Sequence, residues 1–65
     1  MELKIELVKL GKRQIDLISE LRERGYKINP PDISAYLSGY IVTPKSQEVL
    51  KECENIIEGW KADEK

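Results

Sequence analysis

Asn29-Pro30-Pro31-Asp32-Ile33-Ser34-Ala35-Tyr36-Leu37-Ser38-Gly39 reads as a short helix with both ends written into the sequence. Asn29 is a residue type that caps helices, Pro30 and Pro31 suit a first turn, and Asp32 meets the positive end of the helix dipole. Gly39 supplies the residue that most readily closes a helix in a left-handed conformation. Ile33, Tyr36 and Leu37 fall at i, i+3 and i+4, which commits one face to a core. The other face, with Asn29, Asp32, Ser34, Ala35 and Ser38, is small and polar. That profile suits insertion into a groove, and it also suits an ordinary packing helix.

Upstream, residues 12–24 read as a helix whose buried stripe is Leu17, Ile18 and Leu21, ended by Gly25, with Arg22 and Arg24 complementing its carbonyl end. Residues 2–10 carry Leu3, Leu7, Val8 and Leu10 at helical spacing, with Ile5 off the stripe and Gly11 as the stop. Leu3, Ile5 and Leu7 also alternate as a strand would, but the flanking Glu and Lys favour a helix. Tyr26-Lys27-Ile28 is a short connection that lays its two apolar side chains on the domain, with a brief extended segment as an alternative. The residue before Pro30 is biased away from helix, which places the break at Ile28 and Asn29.

Downstream, Tyr40-Ile41-Val42 is extended in character, and Thr43-Pro44 offers a capping hydroxyl followed by proline at the first helical position. The helix that follows carries Val49, Leu50, Cys53, Ile56, Ile57 and Trp60 in register. From Lys61 the chain has nothing to bury, so residues 61–65 are expected to fray and the domain to span 1–60. The fold class expected is all-α, with four helices or five.

Sixty-five residues make one domain at most. A chain this short buries only about 60% of its unfolded surface, so a second copy adding to the core is a natural expectation. With 40% hydrophobic and 35% charged residues the sequence belongs to folded, soluble proteins. No stretch is long and apolar enough for a membrane span and no leader is evident, so a cytoplasmic location is expected, with no membrane partner. One cysteine, Cys53, and no histidine exclude an internal disulfide, zinc sites and most nucleophilic triads. Cys53 reads as a small buried hydrophobe. With no phosphate-binding glycine loop either, no catalytic activity, cofactor, metal or small-molecule substrate is expected. Charge is polarised: residues 1–30 hold seven basic and five acidic side chains, residues 31–65 four and seven. Mixed-charge solvated helix faces account for part of that asymmetry.

Two helices joined by a turn, the second groove-sized, with one more helix on each side, resemble the helix-turn-helix of phage repressors and Cro-like regulators. The residues that carry the resemblance are Gln14-Ile15-Asp16-Leu17-Ile18, similar to the family's Gln-x-x-Leu-Ala, then Ile33-Ser34-x-x-Leu37-x-Gly39, and Pro44 at a fourth-helix start. The family's turn is more compact, Ile18 stands where its pattern has a small alanine, and Pro30, Pro31 and Asp32 are unusual at groove-facing positions.

The resemblance implies a lambda-repressor-like domain binding double-stranded DNA, as a homodimer, in transcription regulation of a phage or mobile element. It implies that Gln14, with Lys12 or Arg13, bonds a backbone phosphate. Asn29 caps the recognition helix and approaches a phosphate or base edge, and Pro30, Pro31, Asp32, Ser34 and Ala35 face the major groove. Tyr40 and Lys45 lie beside the opposite backbone. Ile57 and Trp60, at the far end of the fourth helix, read as a dimer interface, or else as core closure against the first helix. Arg22, Arg24 and Lys27 form a candidate backbone-contacting patch that Glu20 and Glu23 partly neutralise. A protein-interaction module using the acidic, Trp60-bearing last helix is the alternative from another class. An RNA-binding domain lacks its usual exposed aromatic platform.

Overall fold

The computed structural model describes residues 3–63, and these form four helices with no strand among them. They are α1 (Leu3–Leu10), α2 (Gln14–Glu23), α3 (Pro30–Ser38) and α4 (Pro44–Asp63). The expected start of the first helix at Glu2 lies outside the described residues. Helix α4 is the hub: α1, α2 and α3 all pack against it, and α2 and α3 also pack on each other. The result is an all-α domain.

Ile5 settles the ambiguity at the amino end. Alternation would bury it together with Leu3 and Leu7, whereas Leu3 and Leu7 are buried one turn apart and Ile5 is 52% exposed. Val8, expected on the buried stripe, is 79% exposed, so α1 commits a narrower face than its composition suggests. The helix ends at Gly11, where the Lys12 N–H reaches back to the Leu7 carbonyl at 2.9 Å. That bond delays α2 to Gln14, two residues later than expected. Arg13 at the N-cap carries no side-chain acceptor, and Asp16 instead accepts the Arg13 N–H at 2.8 Å. Gly25 closes α2 at φ 91°, with the Tyr26 N–H on the Leu21 carbonyl at 3.0 Å.

Helix α4 opens on a reciprocal cap. Thr43 Oγ1 accepts the Ser46 N–H at 3.0 Å, and Ser46 Oγ accepts the Thr43 N–H at 2.8 Å while donating to the Thr43 carbonyl. Ser46 is thereby buried with its hydroxyl satisfied. Val49, Cys53, Ile56 and Ile57 follow into the core, and Leu50 and Trp60 pack at its edge. Burial pushes the Cys53 thiol up to about 12, with the neighbouring Glu52 and Glu54 carboxylates adding to the shift.

Two expectations about the far end of α4 are corrected. Ile57 is fully buried, so it is a core residue and offers nothing to a second copy. Trp60 is half-buried against the core, with Leu10 beside it and the Lys12 ammonium 5.1 Å from its ring centroid. That placement is the one expected for core closure, with α1 packed along the carboxyl-terminal half of α4. The chain also does not fray at Lys61: α4 continues to Asp63, and Lys61 forms an ion pair with Glu6 of α1. Residues 64 and 65 lie outside the described residues.

Glu6 is the electrostatic link between these helices, since it pairs with both Lys61 and, at 3.7 Å, Lys9. The Lys61 hydrogen bond holds its carboxyl below the ordinary carboxylate value, outweighing the opposing effect of desolvation. A depressed folded-state pKa contributes stability above the unfolded value, and that contribution is lost as pH falls through the folded one. Denaturation midpoints followed from pH 6 downward are therefore expected to decline below the ordinary carboxylate range, about pH 4. In Glu6→Gln that decline should be shallower, starting from a slightly lower plateau.

Candidate nucleic-acid interface

Helices α2 and α3 form the unit in which the sequence-derived site residues lie. Leu17, Ile18 and Leu21 of α2 meet Ile33 and Tyr36 of α3 in the common core. Ile18 is 1% exposed, so its full bulk is accommodated inside the core. The long turn between the helices is clipped down at several points. Ile28 is buried, and the Arg22 guanidinium donates to its carbonyl at 3.4 Å. Tyr26 donates its hydroxyl to Glu48 of α4 at 3.2 Å, which makes it a loop anchor. Partial burial, and then that contact, raises the Tyr26 pKa. Arg24 pairs with Glu20 at 3.2 Å and with Glu52 of α4 at 3.6 Å, and it also donates to the Glu20 carbonyl.

The start of α3 differs from the expected cap in a way its prolines explain. Asn29 has the extended backbone of an N-cap, but its side chain makes no capping hydrogen bond. Pro30 and Pro31 bring no N–H groups, and the next two donors, Asp32 and Ile33, both reach the Asn29 carbonyl, at 3.0 and 3.1 Å. Nothing is left for the Asn29 amide to cap. It stands exposed, and this helix end presents no spare backbone donors to an anion.

Pro30, Pro31, Ser34 and Ser38 are exposed on α3, while Asp32 and Ala35 are only half exposed. The outward surface is thus prolines and hydroxyls more than the expected Asp32 and Ala35. Tyr40 and Lys45 are exposed beyond the helix. The turn to α4 is set by Gly39 at φ 77°, a conformation that side chains with a Cβ rarely adopt.

Lys12, Arg13 and Gln14 sit together at the start of α2, lining one shallow depression with Lys4, Leu7 and Val8. Lys4 was not singled out from the sequence. Only the reversal of the chain at Gly11 brings it to the start of α2, and no local pattern encodes that approach. A second depression at the α2–α3 turn is lined by Arg22, Lys27 and Asn29 together with Gly25, Tyr26 and Ile28.

Among the described residues, Lys9, Arg24 and Lys61 are taken up in ion pairs with carboxylates. Those in no ion pair are Lys4, Lys12, Arg13, Arg22, Lys27, Lys45 and Lys51, and only Lys51, midway along α4, falls outside the ends of α2 and α3 and their depressions. No group of metal-ligating side chains occurs among the described residues, and no helix there is long and apolar enough to cross a membrane. Comparison with known proteins finds no matching family model, no matching characterised protein and no matching solved structure.

Proposed function

We propose that this chain is a helix-turn-helix regulator that binds double-stranded DNA, with α3 in the major groove. The observation that carries the reading is the distribution of cations outside ion pairs. Among the described residues, all of these except Lys51 bracket α2 and α3, while carboxylates take up Lys9, Arg24 and Lys61. Phosphate contacts position such a domain, and they need accessible Lys and Arg on either side of the reading helix. Lys4, Arg13 and Gln14 supply them at the start of α2, Arg22 and Lys27 at the turn, and Lys45 past α3. Lys12 stands with the first group, its ammonium over Trp60.

The surface of α3 between those cations is low and uncharged at Pro30, Pro31, Ser34 and Ser38. Prolines contact thymine methyls, serines bond to either base edge, and the uncommitted Asn29 amide pairs with adenine. Readout by so few groups is sparse, so affinity rests on phosphate contacts and on occupancy of more than one half-site.

Gln14→Ala and Asn29→Ala test the assignment. Both should weaken duplex binding by roughly five- to tenfold, in keeping with one lost hydrogen-bonding group of about 1 kcal/mol each. Thermal unfolding should be little changed. For Asn29 this is a sharp expectation, since an engaged Asn cap would cost about 1 kcal/mol of stability on removal and this one is not engaged. Loss of stability without loss of binding would count against the reading.

A further inference from the structure

We infer that Tyr40, Ile41 and Val42 form a contact surface for a second copy of this chain, too small to hold a dimer in solution and sufficient to couple two copies on one duplex. Tyr40 is 88% exposed, Val42 68% and Ile41 38%, the only run of consecutive exposed large hydrophobic residues among those described. Its placement beside the reading helix rests on the DNA-binding reading above. The patch itself does not.

Charge argues for the occupant. Every residue from Ile33 to Pro44 is uncharged, in a chain where charged residues make up 35%. In a two-fold contact each residue near the axis meets its own copy, so any charge there would face its like. A neutral apolar run satisfies that condition. It also suits phosphate poorly, because it offers no cation of its own.

The patch is held rigid at both ends. The Tyr40 and Ile41 N–H groups both reach the Ala35 carbonyl, at 3.0 and 3.4 Å, and Thr43 is locked into the α4 cap. Docking therefore costs little loop ordering. Size sets the strength. At these exposures three such side chains present on the order of 400 Å² per copy, about half of what a standard interface contributes from each partner. Free copies should thus be monomers at micromolar concentration. Two copies on adjacent half-sites experience an effective concentration of about millimolar, where a contact this small is felt.

Two measurements on wild type and on Ile41→Ser/Val42→Ser test the inference. Val42→Ser alone serves as a milder variant, since that side chain is mostly exposed. Sedimentation equilibrium without DNA should show wild-type self-association as the concentration approaches millimolar, and the variants should lose it. On duplexes carrying one or two copies of a half-site recovered from a random pool, wild type should bind the second site about tenfold tighter than the first. The variants should bind a single half-site as wild type does, yet fill two independently. A wild type that stays monomeric and fills two sites independently overturns the inference, as does a variant that keeps its association. Weakened binding of the variants to a single half-site also overturns it, by placing the loop on DNA. If wild type binds no duplex, the DNA reading fails and sedimentation alone decides the inference.

Discussion

Leu21→Ala is expected to cost about 2–5 kcal/mol, a large fraction of the stability that a chain this short has. Leu21 is fully buried where α2 meets the rest of the core, and its carbonyl accepts the Arg24 and Tyr26 N–H groups that close the helix. A chain of this size has a total stability of roughly 3–10 kcal/mol, so one cavity of that kind consumes much of it. Urea titration followed by circular dichroism reads the effect as a large fall in the midpoint. Ile5→Ala, at an exposed position of α1, should move the midpoint by no more than about 0.5 kcal/mol equivalent. Similar losses at the two positions would mean that α1 buries a different face.

The second large effect concerns binding. Arg22→Ala/Lys27→Ala removes two cations from the α2–α3 turn that lie in no ion pair among the described residues. If each neutralises one phosphate, the slope of log affinity against log salt becomes shallower by about 1.8. Taking equal affinities at 1 M salt, the loss at 0.15 M is roughly thirtyfold. Folding should be nearly unaffected, because the Arg22 contact to the Ile28 carbonyl is long and partly exposed. Unchanged affinity with an unchanged slope would remove the turn from the interface. Arg24→Ala is the internal control, since its charge is already spent on Glu20 and Glu52.

Much of this fold is legible in the sequence because its punctuation is local. Gly11, Gly25 and Gly39 end three helices where expected, and Thr43-Pro44 starts the fourth with the Thr43 hydroxyl engaged. The stripes Leu17-Ile18-Leu21 and Val49-Cys53-Ile56 are buried as their spacing implies. What was not legible depends on partners distant in the chain. Ile57 and Trp60 read as a dimer surface or as core closure, and Lys61 as a frayed end, until α1 is known to lie along α4. Then Ile57 is core, Trp60 is flanked by Leu10 and Lys12, and Lys61 has Glu6.

The candidate site divides in the same way. Asn29 occupies the N-cap position that its type predicts, yet the two following prolines remove donors its side chain would have satisfied. That consequence follows from the sequence once the cap's donors are counted. The approach of Lys4 to Arg13 and Gln14 is a tertiary fact, set by the turn at Gly11 and by α1 packing against α4.

Whether α2 and α3 read duplex DNA, as proposed, is decided by selection from a pool of random duplexes at low and near-physiological salt. The expected result is enrichment of a motif with two related half-sites about one helical turn apart, bound with an affinity that falls steeply as salt rises. Recovery of no motif, with no salt-sensitive retention of duplex at either concentration, would contradict it.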